Sequence, residues 1–188
     1  MTMQFANVWE RVSDIAGDEI ALVNGKAQLS WSSFDQKAAK IATILEEYGL
    51  KSDSKVGIYL HNSNEYLEAQ YGVFKIEGVP INVNYRYKES ELIYLLDNSD
   101  AEAIFFQGCY SNRIEAIKEQ LPKIKAFIQI DDGTEALMEG AIDYESSISS
   151  SKKQNRFNRS EENIYMLYTG GTTGCLLYTS PSPRDHWR

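Results

Sequence analysis

Between residues 55 and 130 short apolar runs alternate with amphipathic stretches, and that rhythm constrains the fold more than any other feature of the chain. Residues 55–60 (KVGIYL), 79–83 (VPINV), 103–106 (AIFF) and 126–130 (AFIQI) are apolar and of strand length. Helical patterns lie between them. In residues 64–76 Leu67, Tyr71 and Phe74 share one face, with Gly78 closing the helix. Residues 89–96 bring Leu92, Leu95 and Leu96 together, and a helix capped by Ser111 and running to Leu121 does the same with Ile114 and Ile117. Strands alternating with helices of this length form βαβ units around a parallel sheet. The expected fold is α/β, a mostly parallel sheet flanked by helices.

The chain enters this unit through simpler pieces. Phe5, Val8, Trp9, Val12 and Ile15 recur at helical spacing, which predicts an amphipathic opening helix. Two strand-like runs, residues 20–23 and 26–30, flank Asn24-Gly25, a strong hairpin signal. Ser32 followed by Asp35 resembles a capping box. The helix it starts carries Phe34, Ala38, Ile41 and Leu45 on one face before Gly49 ends it. Residues 146–158 (SSISSSKKQNRFN) are polar and serine-rich, and read as a linker or surface loop. Residues 163–168 (NIYMLY) are another strand candidate, one whose sheet partners are expected largely downstream.

A length of 188 residues suffices for one domain with a core, and 43% hydrophobic with 24% charged residues is ordinary for a soluble protein. A formal net charge of −8 argues against a nucleic-acid partner, which would want a basic face. Cys109 and Cys175 form no CxxC pair and have no histidine at metal spacing, so they read as free thiols in a reducing cytoplasm. The chain does not open on a basic segment followed by an apolar run. No apolar stretch approaches the roughly 20 residues that span a bilayer. A cytoplasmic protein without a transmembrane segment is expected.

The chemistry concentrates where the last strand candidate runs into Thr169, Gly170, Gly171, Thr172, Thr173 and Gly174. Glycines let the backbone turn tightly and aim successive N–H groups inward, which makes an anion nest. The threonine hydroxyls add donors at the same rim. Donors, a flexible backbone and no bulky side chains suit a polyphosphate, although a Gly/Thr loop after a strand is equally a tight turn. It is not a P-loop, because Gly170 and Gly174 enclose three residues and no lysine follows. It is not a GxGxxG dinucleotide turn either.

The stretch YMLYTGGTTG resembles the phosphate-loop signature of the adenylate-forming superfamily of acyl-CoA synthetases, luciferases and peptide-synthetase adenylation domains. LSWSSFDQKAAKIATILEEYGL, KVGIYLHNSNEYLEA and GVPINVNYRYKESELIYLLDNSDAEAIF are similar to the family's N-terminal blocks, in the same order. The resemblance implies the N-terminal part of the large domain of such an enzyme, incomplete. It also implies a two-step ligase: ATP and a carboxylic acid give an acyl-adenylate and pyrophosphate, and the acyl group passes to coenzyme A. By the same resemblance residues 169–174 wrap the β- and γ-phosphates, with Thr172 and Thr173 the main hydroxyl donors, and Mg2+ accompanies the ATP. The implied division is an N-terminal α/β subdomain at 1–145, a polar linker at 146–160, and a strand with the phosphate loop at 161–174. The NVNYRY block favours acids of medium, long or sterol-side-chain type. The alternatives are a peptide-synthetase adenylation domain and an inactive truncated product.

The chain departs from the family after the loop. Where the family has a variable residue and then Pro-Lys, this sequence reads Cys175-Leu176-Leu177, so the phosphate-facing lysine is absent. Residues 176–188 (LLYTSPSPRDHWR) are unlike the family and resemble translated adapter DNA, so 175–188 reads as a chimeric tail. The family's catalytic residues lie beyond this point, so no catalytic or metal-ligating residue is assigned. His61, at a strand end, reads as a satisfied structural group, and His186 receives no role. Asp131-Asp132-Gly133 reads as a turn rather than a calcium loop. Tyr85-Arg86-Tyr87 reads as a helix-approach loop, which the resemblance places near the acyl pocket. Lys152 and Lys153 read as a solvated pair.

Overall fold

A computed structural model describes residues 4–160 and 165–168. The opening helix α1 (Phe5–Ala16) is capped by Gln4, whose side chain accepts from the Asn7 N–H. Its inward face is not the expected stripe. Ile15 is exposed, while Ala6 and the charged Glu10 are buried. A hairpin follows, β1 (Ile20–Asn24) against β2 (Ala27–Ser30), antiparallel with Asn24 opposite Ala27. The turn therefore sits on Gly25 and Lys26, one residue later than Asn24-Gly25, and Gly25 takes the positive φ of 59°. α2 (Trp31–Glu47) starts directly from β2, so Ser30 rather than Ser32 is its cap, accepting from the Ser33 N–H. Asp35 is thereby free for the ion-pair cluster described below.

The expected βαβ rhythm is present. β3 (Lys55–Tyr59), α3 (Asn64–Lys75), β4 (Val79–Asn82), α4 (Glu89–Asn98), β5 (Ala101–Gln107), α5 (Ser111–Ile117) and β6 (Ala126–Ile130) follow in turn. Two elements were not anticipated. A short strand β7 (Ile142–Asp143) pairs with β6, and α6 (Tyr144–Ser150) occupies part of the serine-rich segment read as a linker. Asp143 caps α6 by accepting from the Ser146 N–H, and Tyr144 and Ile148 bury, so packing overrides the weak helix propensity of serine. Ser111 is the first helical residue of α5, with Tyr110 as its cap. At the end of α3 the left-handed position belongs to Glu77 (φ 56°), not Gly78. Gly78 is required for proximity, since a Cβ there would lie 2.9 Å from Val73 Cγ1 and 3.0 Å from the Ser54 carbonyl oxygen.

All five sheet strands are parallel, in the order β4-β3-β5-β6-β7. Relative to sequence this is the doubly wound order 2-1-3-4-5. Alternate residues supply opposite faces. Val56, Ile58, Ala103 and Phe105 pack with α2, α3 and α6 residues such as Ile41, Leu45, Val73 and Ile148. Tyr59, Ile104 and Phe106 pack with Leu92, Leu95 and Leu96 of α4 and Ile114 and Ile117 of α5. Burial on both faces is why the strands read as continuous apolar runs. A third cluster joins α1 to α2 and α3 through Phe34, Tyr71 and Phe74, with Trp9 edge-on to Tyr71 at 4.9 Å.

Of the strand candidate before the loop, residues 165–168 are described, and Met166 forms a parallel bridge to Ile81 at the β4 edge of the sheet. An open edge of unpaired N–H and C=O groups favours such an addition, and Met166 and Tyr168 also pack against the α4 side of the core.

Candidate functional site

In doubly wound sheets ligands bind beyond the carboxyl ends of the strands, where the winding reverses. Here that point lies between β3 and β5. His61, just past β3, meets Gln107 at the end of β5. Gln107 Oε1 accepts from the His61 backbone N–H at 2.9 Å and lies 2.8 Å from its Nδ1. The Nε2 atom lies 2.9 Å from the Tyr110 hydroxyl. An Oε1 that accepts the backbone N–H also wants a donor at Nδ1, which leaves Nε2 to accept from Tyr110. Both ring nitrogens are engaged, in keeping with a structural histidine.

Tyr59 lies behind this pair. Its hydroxyl donates to the Tyr87 carbonyl at 2.7 Å and accepts from Arg113 Nη1 at 2.5 Å, and the same Nη1 reaches the Tyr87 carbonyl at 2.8 Å. Burial, opposed by Arg113, raises the Tyr59 pKa, so it remains a neutral donor. Tyr59 and Arg113 thus hold the loop carrying Tyr85, Arg86 and Tyr87 at the carboxyl end of β4. Tyr85 lies 5.0 Å from the His61 ring, and the exposed Arg86 guanidinium lies 5.0 Å from the Tyr85 ring centre. The approach-loop reading of these residues is met.

Cys109, an exposed free thiol, precedes Tyr110 in the turn after β5. Burial, together with the neighbouring Asp132 carboxylate, pushes its thiol up to about 11, so the reactive thiolate is scarce near neutrality. Asp131 and Asp132 serve their turn: Asp131 accepts from the Gly133 N–H, and Asp132 from the N–H groups of Thr134 and Cys109. Among the described residues no group of three or more His, Cys, Asp or Glu side chains could hold a metal ion. Nor is any helix among them long and apolar enough to cross a membrane.

The six residues read as the phosphate loop, Thr169, Gly170, Gly171, Thr172, Thr173 and Gly174, lie outside the described residues, as does the tail. Of the residues ahead of them, 154–160 and 165–168 are described, and several of these are tied down. The Gln154 N–H donates to the Ala39 carbonyl of α2. Arg156 reaches Asp14 at 2.8 Å and Asp35 at 3.0 Å. Arg159 is fully buried, with Nε on the Lys75 carbonyl at 2.9 Å and Nη1 on Asn7 at 2.9 Å and on Glu10 at 3.0 Å. Tyr168 donates to Asn98 of α4 at 2.8 Å. Beneath this strap Lys75, 2% exposed, pairs with Glu10 at 2.6 Å and with Asp35 at 2.8 Å.

Sequence reasoning missed Tyr59, Gln107, Tyr110 and Arg113 as a group. The available signal was small: a tyrosine inside an apolar strand must place its hydroxyl somewhere. Their convergence depends on strand order, which local patterns do not carry.

The AMP-binding enzyme family matches residues 9–175, and the chain belongs to that family. It is 37% identical to the 3-oxocholest-4-en-26-oate–CoA ligase of Rhodococcus rhodochrous, covering 100% of this chain and 34% of that protein. It is also 37% identical to a medium/long-chain-fatty-acid–CoA/3-oxocholest-4-en-26-oate–CoA ligase of Mycolicibacterium smegmatis, over 93% of this chain and 32% of that one. The chain thus spans about a third of the length of these curated relatives. In fold it is similar to the anthranilate CoA ligase AuaEII crystallised with anthranoyl-AMP, with a TM-score of 0.84 at 21% identity over 92% of this chain and 33% of that one.

Proposed function

We propose that this member of the AMP-binding enzyme family is the amino-terminal third of an ATP-dependent acid–CoA ligase. In the full-length parent, Thr169, Gly170, Gly171, Thr172, Thr173 and Gly174 would hold the β- and γ-phosphates of ATP. The observation that carries the reading is the ordered run of family blocks ending in YMLYTGGTTG. The residue types suit a polyphosphate: glycines allow successive N–H groups to form a nest, and threonines add hydroxyl donors. Donors aimed at charge that grows in the transition state contribute roughly 10²–10³ in rate each. Mg2+ would accompany the nucleotide and offset its charge. The cytoplasm is the proposed compartment.

The acid is proposed to be a medium- or long-chain fatty acid or a sterol side-chain acid. The activities for which the two ligase relatives are named and the NVNYRY block support that class over an amino acid. The 188 residues alone are proposed to be inactive, because Cys175-Leu176-Leu177 stands where the family places its Pro-Lys. The full-length parent, given ATP, coenzyme A and such an acid, should release AMP and consume the CoA thiol only when all three are present. Release of ADP, or thiol loss without ATP, would overturn the proposal.

A further inference from the structure

We propose that residues 152–156 form an ionic flap, with Arg156 as its clasp, that lifts as a local unit from the cleft at Lys75 while the α/β body stays folded. Residues 151–160 contain neither helix nor strand, and none of 152–156 is buried. What holds this stretch down is polar. The Gln154 N–H donates to the Ala39 carbonyl at 3.0 Å, and its side-chain amide donates to the exposed Glu46 carboxylate at 2.6 Å. Arg156 grips Asp14 through Nη1 at 2.8 and 3.0 Å, and Asp35 through Nη2 at 3.0 Å. The Arg156 side chain is 42% exposed and that of Asp14 46%. Ion pairs so placed contribute little individually and are screened by salt. A segment without buried apolar side chains, held by solvent-exposed bonds, belongs to the least stable part of a fold.

The two ends of the flap are fixed differently. On one side Ser151 closes α6, its N–H donating to the Ser147 carbonyl. On the other, the Arg159 side chain is fully buried and donates to the Lys75 carbonyl, Asn7 and Glu10, while the Phe157 ring centre lies 4.5 Å from its guanidinium carbon. A pair withdrawn from water is screened far less than an exposed one. Salt therefore loosens the clasp and leaves the anchor closed. A cleft of about 470 Å³ is lined by Lys153, Gln154, Asn155 and Arg156 of the flap and by Asp35 and Lys75 of the body. When Arg156 leaves, Asp35 keeps Lys75 and the Tyr71 hydroxyl, Glu10 keeps Lys75 and Arg159, and the partly exposed Asp14 returns to water. The Lys75 pairs survive, so no buried charge is stranded and the body has no reason to unfold. Opening brings solvent and ions to Asp35 and Lys75.

The test is amide hydrogen exchange on the whole 188-residue chain at fixed pH, each amide taken relative to its unstructured rate. The two conditions are about 0.05 M and about 0.5 M NaCl, between which exposed pairs go from lightly to strongly screened. Salt should speed exchange of the Gln154 amide about 3–10-fold and leave Phe105 and Phe106, in the central strand β5, unchanged within about 2-fold. Arg156→Gln should exchange about 3–10-fold faster at Gln154 already in low salt, with its salt response reduced to under about 2-fold. Asp14→Asn, which weakens the clasp from the other side, should shift Gln154 in the same direction. In both variants trypsin should cut after Lys153 faster than in the unaltered chain at the same salt. A Gln154 amide indifferent to salt overturns the proposal. So does one that moves in parallel with β5, since that is unfolding of the body, and so does a full salt response in Arg156→Gln, since the clasp is then elsewhere.

Discussion

Replacing Lys75 by methionine tests whether the ion-pair cluster under the strap is truly withdrawn from water. Methionine fills the stem volume but deletes a cation 2.6 Å from Glu10 and 2.8 Å from Asp35. Glu10 keeps Arg159 at 3.0 Å, and Asp35 keeps Arg156 at 3.0 Å and the Tyr71 hydroxyl. Each carboxylate therefore loses one charge-assisted bond rather than all its partners, worth about 1.5–3 kcal/mol apiece. The expected total is about 3–5 kcal/mol, the range for breaking a buried pair by removing one member. With an m-value of about 2 kcal/mol/M in urea, the midpoint should fall by about 1.5–2.5 M. Trp9, 4.9 Å from Tyr71, reports the transition by fluorescence. The penalty should depend on pH. Burial works to raise the Asp35 pKa, but Lys75, Tyr71 and Arg156 together outweigh it and hold the carboxyl below its ordinary value. A depressed native pKa contributes stability above the unfolded value of about 3.9 and loses it as pH falls through the folded one. Without Lys75 the lowering is weaker and Asp35 protonates more readily, so the penalty should be largest near pH 7 and shrink below about pH 5. A midpoint loss under about 0.5 M, or a penalty that grows on acidification, would refute the reasoning.

Tyr144→Phe removes the hydroxyl that donates to the buried Glu68 carboxylate at 2.5 Å, and should cost about 1.5–3 kcal/mol in urea unfolding. Burial already raises the Glu68 pKa against the pull of Tyr144 and Lys37, so that loss should be larger at pH 8 than at about pH 4. Gly72→Ala would place a Cβ 2.3 Å from Ile41 Cγ2 where α3 crosses α2, and should cost about 1–3 kcal/mol by overpacking. Gly57→Ala, whose Cβ would meet the flexible end of Leu96 at 3.0 Å, should cost less in the same assay. In a Cys175→Ser background, iodoacetamide should label Cys109 slowly at pH 7.5, and Asp132→Asn should speed the labelling by removing the carboxylate that helps hold the thiol up.

The parallel sheet was legible because its strands are buried on both faces and its helices carry plain stripes. The cluster at Glu10, Lys75 and Arg159 was not, because a lone charge in a helical pattern reads as a solvated face and its burial depends on partners up to 152 residues away. α6 was missed because serine-rich sequence favours loops locally, while Tyr144 and Ile148 make the helix worthwhile only once β6 and α2 are in place. Ser30 was missed as the cap of α2 because nothing local says that β2 passes into α2 without a connecting residue. The Gly/Thr run at residues 169–174 stood out by composition but was read as a phosphate loop only through the family resemblance, whereas the Tyr59–Arg113 and His61–Gln107 contacts follow from a strand order that adjacent residues do not encode.

The most direct test of the central claim is acid-dependent exchange of pyrophosphate into ATP by three proteins: these 188 residues, the full-length parent, and the parent carrying Thr172→Ala with Thr173→Ala. The account predicts no exchange from the first, exchange that requires a fatty or sterol side-chain acid from the second, and a fall of at least about 10² in the third with an unchanged melting midpoint. Exchange by the 188 residues alone, or full activity in the double variant, would contradict it.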